Sequence, residues 1–176
     1  MRRLFLILLC VLLLSGNTSM LIQSTAKFEE EEASEVVLIS QTVWDGYIDT
    51  DNYCFGNSFT MVGDNITKLK VLCSESNDTV KFRIGTSSDL TTCLEEQEVV
   101  CTSGWMTVTF TTLTGLTNGG TYYWGVQETG GNAPSFAKAG SNEYAGGTEK
   151  YNTNHLNWNL SSSIAHDMTF EILGIQ

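Results

Sequence analysis

Apolar and polar positions alternate one for one along much of the chain beyond residue 34. In the stretch Gly104–Gln127, Met106, Val108 and Phe110 share one side and Thr107, Thr109 and Thr111 the other. Further on, Tyr122, Trp124 and Val126 alternate with Tyr123, Gly125 and Gln127. A period of two, rich in Thr and aromatic residues, marks half-buried antiparallel strands. Asn118-Gly119-Gly120 between them supplies a turn, because glycine accepts positive φ without strain. The same alternation runs through Thr67–Cys73, with Leu69, Val71 and Cys73 facing in, through Val80–Gly85, and through Asp167–Ile172. Glu35–Trp44, Phe55–Val62 and Gln97–Thr102 read as further strands. No stretch of this part of the chain shows a helical period. The pattern predicts an all-β protein, an antiparallel β-sandwich or jelly roll of about eight short strands. Glu128–Gly147, rich in Gly, Asn, Ser and Ala, is long for a connection and is expected to carry function or short edge strands.

The first residues obey different rules. Arg2 and Arg3 precede the apolar run Leu4–Leu14, the order of a secretory leader. Residues 1–26 are therefore expected to be a signal peptide or an uncleaved signal-anchor helix, with cleavage before Lys27 or nearer Ser15–Ser19. Residues 27–39 are expected to form an acidic spacer, KFEEEEAS, and a first strand, and residues 40–176 the sandwich. Export places the mature protein outside the cell or on its surface. The membrane would be touched only through an uncleaved leader.

Charge narrows the partners. The chain has 9 Lys and Arg against 20 Asp and Glu, a net charge of −11. That balance argues against phosphate-backbone binding, which needs clustered cations, and against docking on anionic lipid. Cys54, Cys73, Cys93 and Cys101 form an even set in an exported chain, which suggests two disulfides. Three connectivities are open. Cys93–Cys101, across LEEQEVV, together with Cys54–Cys73 is the expectation, as pairings that antiparallel neighbours could make. Asn65, Asn77 and Asn159 stand in glycosylation-acceptor patterns.

Catalytic chemistry finds little support. His155 and His166 stand without a nucleophile-elbow motif, and Glu95, Glu96 and Glu98 fall together in one segment. The expectation is a non-enzyme with no cofactor. Asp45, Asp49 and Asp51, with Asn52, offer oxygen ligands of the kind calcium takes, but without EF-hand spacing. A solvated Asx-type turn is the expected reading there, with calcium as the alternative. Tyr144, Tyr151 and Trp158 lie in a segment rich in asparagine, including Asn154, and Tyr123 joins them if it faces outward. Aromatic faces beside amide side chains are the chemistry of sugar recognition. Burial under the long loop is the competing reading. Trp105 and Trp124, on strands, are expected in the core.

The succession SFT, ITKLKVLC, VKFRIGTSS, GWMTVTFTT, GLTNGGTYYWGV, YAGGTEKY, LNWN and HDMTFEILG resembles a choice-of-anchor-like jelly-roll module. Such modules occur in exported bacterial and archaeal proteins and in phage structural proteins. The resemblance covers roughly Ser40–Gly174, and the four cysteines depart from it. It implies a non-catalytic accessory or anchoring role, with carbohydrate or surface binding. The expected function is thus an exported β-sandwich that binds a glycan or a cell-surface protein. The alternative is an assembly subunit of a surface layer, filament or virion, oligomeric through exposed strand edges and the acidic segment.

Overall fold

The computed structural model describes residues 33–176 apart from 52, 76, 77, 112, 130–133, 142, 143, 165 and the side chain of Ile164. The expected leader helix and most of the acidic spacer lie outside the described residues, as do Asn52 and the acceptor Asn77. Among the described residues there is no helix. The chain forms thirteen strands there, several of them very short. In chain order they are β1 (Glu35–Gln41), β2 (Gly46–Asp49), β3 (Cys54–Thr60), β4 (Lys68–Cys73), β5 (Thr79–Gly85), β6 (Glu95–Val100) and β7 (Gly104–Thr109). There follow β8 (Thr121–Glu128), β9 (Ser135–Ala139), β10 (Glu149–Asn152), β11 (Ser162–Ile164), β12 (Asp167–Met168) and β13 (Phe170–Ile175).

These strands make two antiparallel sheets in a sandwich-like arrangement. The first runs β1-β13-β4-β9-β12, with β7 on β4 and β2 on β9. The second runs β11-β10-β3-β8-β5-β6. The two strands of Gly104–Gln127 are therefore not partners: β7 pairs with β4, while β8 lies between β3 and β5 in the other sheet. Gly119 takes φ 79° in the connection between them, as a glycine turn requires. The Gly-rich segment after Gln127 contributes β9, which pairs along its length with β2.

Alternation decides what each sheet turns inward. Leu69 and Val71 of β4, Met106 and Val108 of β7, and Phe170 and Ile172 of β13 are buried from the first sheet. Phe55, Phe59, Val80, Phe82, Ile84, Trp124 and Val126 meet them from the second. Trp124 is fully buried, edge-on to Phe170 at 5.6 Å between ring centres. Phe55, Phe82 and Phe136 pack edge-to-face beside it. Such contacts combine large apolar burial with the geometry that aromatic quadrupoles favour.

The outer faces of the two sheets differ. On the second sheet, Cys54, Leu90, Trp158, Leu160 and Tyr123 form a separate apolar cluster under the segments around residues 90 and 158. Backbone bonds Leu90 N–H to Trp158 O at 3.0 Å and Leu160 N–H to Ser88 O at 2.8 Å knit those segments into a roof. Gly125 leaves the space they occupy: a methyl group there would stand 2.7 Å from Leu90 Cδ1. On the first sheet, the outward positions Lys70, Trp105, Thr107 and Glu171 are exposed or half-buried.

Candidate functional site

The bare face of the first sheet carries a groove. Register builds its floor: Thr107 is opposite Lys70, Lys70 opposite Glu171, and Glu171 opposite Ser40. Directly opposed residues project from the same face, so these side chains stand in one row. Lys70 Nζ lies 3.5 Å from Glu171 Oε2. Trp105 stands opposite Leu72 in the next row. Met106 and Val108 take the inward side of β7, so Trp105 must face out, and it is 45 % exposed. This corrects the expectation that Trp105 is a core residue; Trp124 alone of that pair is buried.

Trp44 comes from the connection between β1 and β2 and is 50 % exposed. That connection is pinned on both sides of Val43. Its N–H donates to Gln41 Oε1 at 3.1 Å, and its carbonyl accepts from Thr169 Oγ1 at 2.9 Å. Thr42, Trp44, Lys70, Trp105, Thr107 and Glu171 line a groove of about 530 Å³. Two half-exposed indoles, a charged pair and two hydroxyls give apolar faces with fixed polar groups beside them. That combination suits an amphipathic ligand.

Trp44 also packs against Tyr47, with ring centres 5.4 Å apart and planes tilted by 51°. Tyr47 leads to a second recess, of about 290 Å³, lined by Tyr47, Ile48, Asp49, Tyr53, Lys138, Glu149 and Tyr151. Tyr53 and Tyr151 meet edge-to-face at 6.0 Å. Glu149 is 1 % exposed, and its Oε2 has no hydrogen-bond partner among the described residues. Burial pushes its carboxyl up to about 7; Lys138 opposes the shift and Asp167 adds to it. Nearby, buried Asn57 donates to Asp167 Oδ1 at 3.4 Å and accepts from the Met168 N–H at 3.1 Å. This polar cluster joins β3 of one sheet to β12 of the other.

The aromatic residues singled out from the sequence do not share a face. Trp158 is buried against the roof cluster, with the Arg83 guanidinium 4.3 Å from its ring centre. Tyr123 packs into that same cluster. Tyr144 turns the other way, onto Phe170, and its hydroxyl accepts from the Thr60 N–H at 3.4 Å. Tyr151 lines the second recess. Asn154 is spent on the backbone: its Oδ1 accepts from the Leu156 N–H at 3.1 Å. Asn152 and Asn157 cap the N–H groups of Asn154 and Asn159 in the same way. The asparagine run is turn chemistry, each amide closing a local loop.

The acidic turn does not gather either. Asp45 and Asp49 flank and end the extended strand β2, which holds them about 13 Å apart at a rise of ~3.3 Å per residue. Asp49 lines the second recess, and Asp51 lies in the turn beyond it. Among the described residues no three His, Cys, Asp or Glu side chains converge as a metal site would need. Glu96 pairs with Arg83 at 2.6 Å and with Lys81 at 3.1 Å, and Glu98 stands 3.8 Å from Lys81, all along edge strand β6. Glu95 accepts from the Thr111 N–H at 2.9 Å. His155 sits 3.5 Å from Glu128, and His166 Nδ1 3.4 Å from Lys138 Nζ.

The placement of the cysteines departs from the expected pairs, and no S–S bond joins any of these four in the structure. Cys93 and Cys101 lie beyond opposite ends of β6, and its six extended residues hold those ends about 17 Å apart. Cys54 belongs to the roof cluster outside the second sheet, whereas Cys73 faces the interior of the sandwich. The cysteines that share a place are Cys73 and Cys101, both buried in the main core cluster, where each shifts the other's ionisation.

Comparison of the chain with protein-family models, with curated proteins and with solved structures gave no match.

Proposed function

We propose that the chain is an exported, non-catalytic β-sandwich that binds a carbohydrate chain along the bare face of its first sheet. The observation that carries this reading is the pair of half-exposed indoles, Trp44 and Trp105, flanking the Lys70–Glu171 pair in one groove. Pyranose rings have an apolar C–H face that lies on an aromatic ring and hydroxyls that pair with charged groups beside it. Both partners are supplied here without a deep cavity, which suits the middle of a chain. The stack of Trp44 on Tyr47 continues the aromatic strip toward the Tyr53–Tyr151 recess, where a further sugar would fit.

The jelly-roll reading is supported by the strand order. Leaving aside the short additions, β1-β13-β4-β7 faces β3-β8-β5-β6. The chain enters the two layers as two interleaved four-stranded keys, the connectivity of a jelly roll. The assembly-subunit alternative would use open sheet edges. Edge strand β1 carries a register shift between Val37 and Ile39, and edge strand β6 carries Glu95, Glu96 and Glu98. Bulges and charges both oppose strand addition, which favours the glycan reading.

A glycan array followed by calorimetry with Trp44→Ala and Trp105→Ala tests it. Each variant should keep its circular dichroism and weaken saccharide binding tenfold or more, since a stacked base or ring is typically worth about 1–3 kcal/mol. Absence of binding to every glycan, or binding indifferent to both substitutions, would remove the proposal.

A further inference from the structure

Cys73 ends β4 of the first sheet, and Cys101 directly follows β6 of the second. Between them and β7 the chain turns a corner from one layer to the other. Gly104, with φ 95°, starts β7 directly opposite Cys73. The corner is held from both sides: the Cys101 N–H donates to Asp78 O at 2.7 Å, and Ser103 Oγ to Ser74 O at 3.2 Å. Cys73 is 2 % exposed and Cys101 1 %, both within the main core cluster. Their thiols are close enough for each to shift the other's ionisation, and Cys73 Sγ donates to Glu75 O at 3.1 Å.

We propose that Cys73 and Cys101 form a disulfide that ties one sheet of the sandwich to the other at the β6–β7 corner. The reaction needs a two-electron acceptor of the disulfide class, such as oxidised glutathione. One protein thiolate attacks a sulfur of the external disulfide and expels one thiolate. The second protein thiolate then attacks the mixed disulfide and expels the other. The two protein thiols lose two protons and two electrons, and the external disulfide becomes two thiols. With both sulfurs in the core, attack occurs while the corner is still open during folding, and the finished bond is shielded from reductant.

The remaining cysteines stay reduced. Cys54 is buried among Leu90, Trp158 and Leu160, and burial pushes its thiol up to about 12. Cys93 is half-buried in the segment before β6.

The full chain, refolded in a buffer of reduced and oxidised glutathione and then alkylated, provides the test. Trypsin alone leaves Cys93 and Cys101 in one peptide, so digestion adds a glutamate-specific protease that cuts at Glu95, Glu96 and Glu98. Mass spectrometry without reduction should find one cross-linked pair, carrying Cys73 and Cys101, with Cys54 and Cys93 alkylated. Reductant should lower the folding equilibrium constant by several hundredfold, as expected for closing a loop of roughly 30 residues. That sensitivity should persist in Cys54→Ser/Cys93→Ser and vanish in Cys73→Ala/Cys101→Ala. Cross-links joining Cys93 to Cys101 or Cys54 to Cys73 would overturn the assignment. So would a folded chain in which Cys73 and Cys101 are both alkylated.

Discussion

Glu149 offers a sharp test of the energetics. Its carboxyl is buried in the lining of the second recess, with one oxygen unpaired among the described residues. Ionising it there costs more than in water, so its folded-state value rises from the ordinary 4.5 to about 7. Below about pH 4.5 the group is protonated in both the folded and unfolded chains and costs nothing by ionisation. Between 4.5 and 7 the unfolded chain has released the proton while the folded chain retains it. Stability therefore falls as pH rises, by about 1.4 kcal/mol per pH unit. Above the folded value both states are ionised and the loss levels off. The loss over the whole window is about 3 kcal/mol.

Glu149→Gln removes this titration while keeping the size of the side chain. Urea unfolding of both proteins at half-unit steps from pH 4 to 8.5 gives the difference curve. Lys138, Asp167, Asp49 and His166 lie around the recess in both proteins, so their own contributions largely cancel in the difference. The variant should gain on the parent steadily up to pH 7 and then hold a constant advantage. At a slope of about 2 kcal/mol per molar urea, the midpoints should separate by roughly 1.5 M. A flat difference curve, or one in which the parent gains with rising pH, would show that Glu149 is solvated or paired and would refute the reasoning.

Gly56→Ala should prevent folding or cost well above 3 kcal/mol, because its Cβ would lie 1.8 Å from the Trp124 carbonyl oxygen; denaturant unfolding or insolubility on expression reads this. Asn65→Ala should cost about 1–3 kcal/mol and speed hydrogen exchange at Ile175, whose N–H and C=O the Asn65 amide holds at 2.7 and 2.9 Å. Trp158→Ala should lower stability by about 3–5 kcal/mol, as for a buried aromatic, while Trp105→Ala should cost under about 1 kcal/mol; equal losses in thermal unfolding would contradict the assignment of roof and groove.

The contrast between those two tryptophans shows what alternation reveals and what it leaves open. With Met106 and Val108 inward, the period of two already puts Trp105 on the opposite side of its strand. The same rule puts Tyr123 opposite Tyr122 and Trp124. A period identifies the side of a sheet but not whether water or another layer lies beyond it. The outward side of β8 is covered because Leu90, Trp158 and Leu160 fold back across Gly125, while the outward side of β7 keeps Trp105 half exposed. That difference depends on which strands share a sheet and where the long segments return, and both are set by contacts far apart in the chain. The cysteines make the same point. Closeness along the sequence suggests Cys93 with Cys101, yet Glu95–Val100 is an extended strand that holds its ends apart. The corner after that strand carries Cys101 across to Cys73, which is remote in sequence and adjacent in space. The strand pattern was readable because it reflects local burial. The groove, the roof and the thiol pair were not, because each arises where two separately readable strands are placed together.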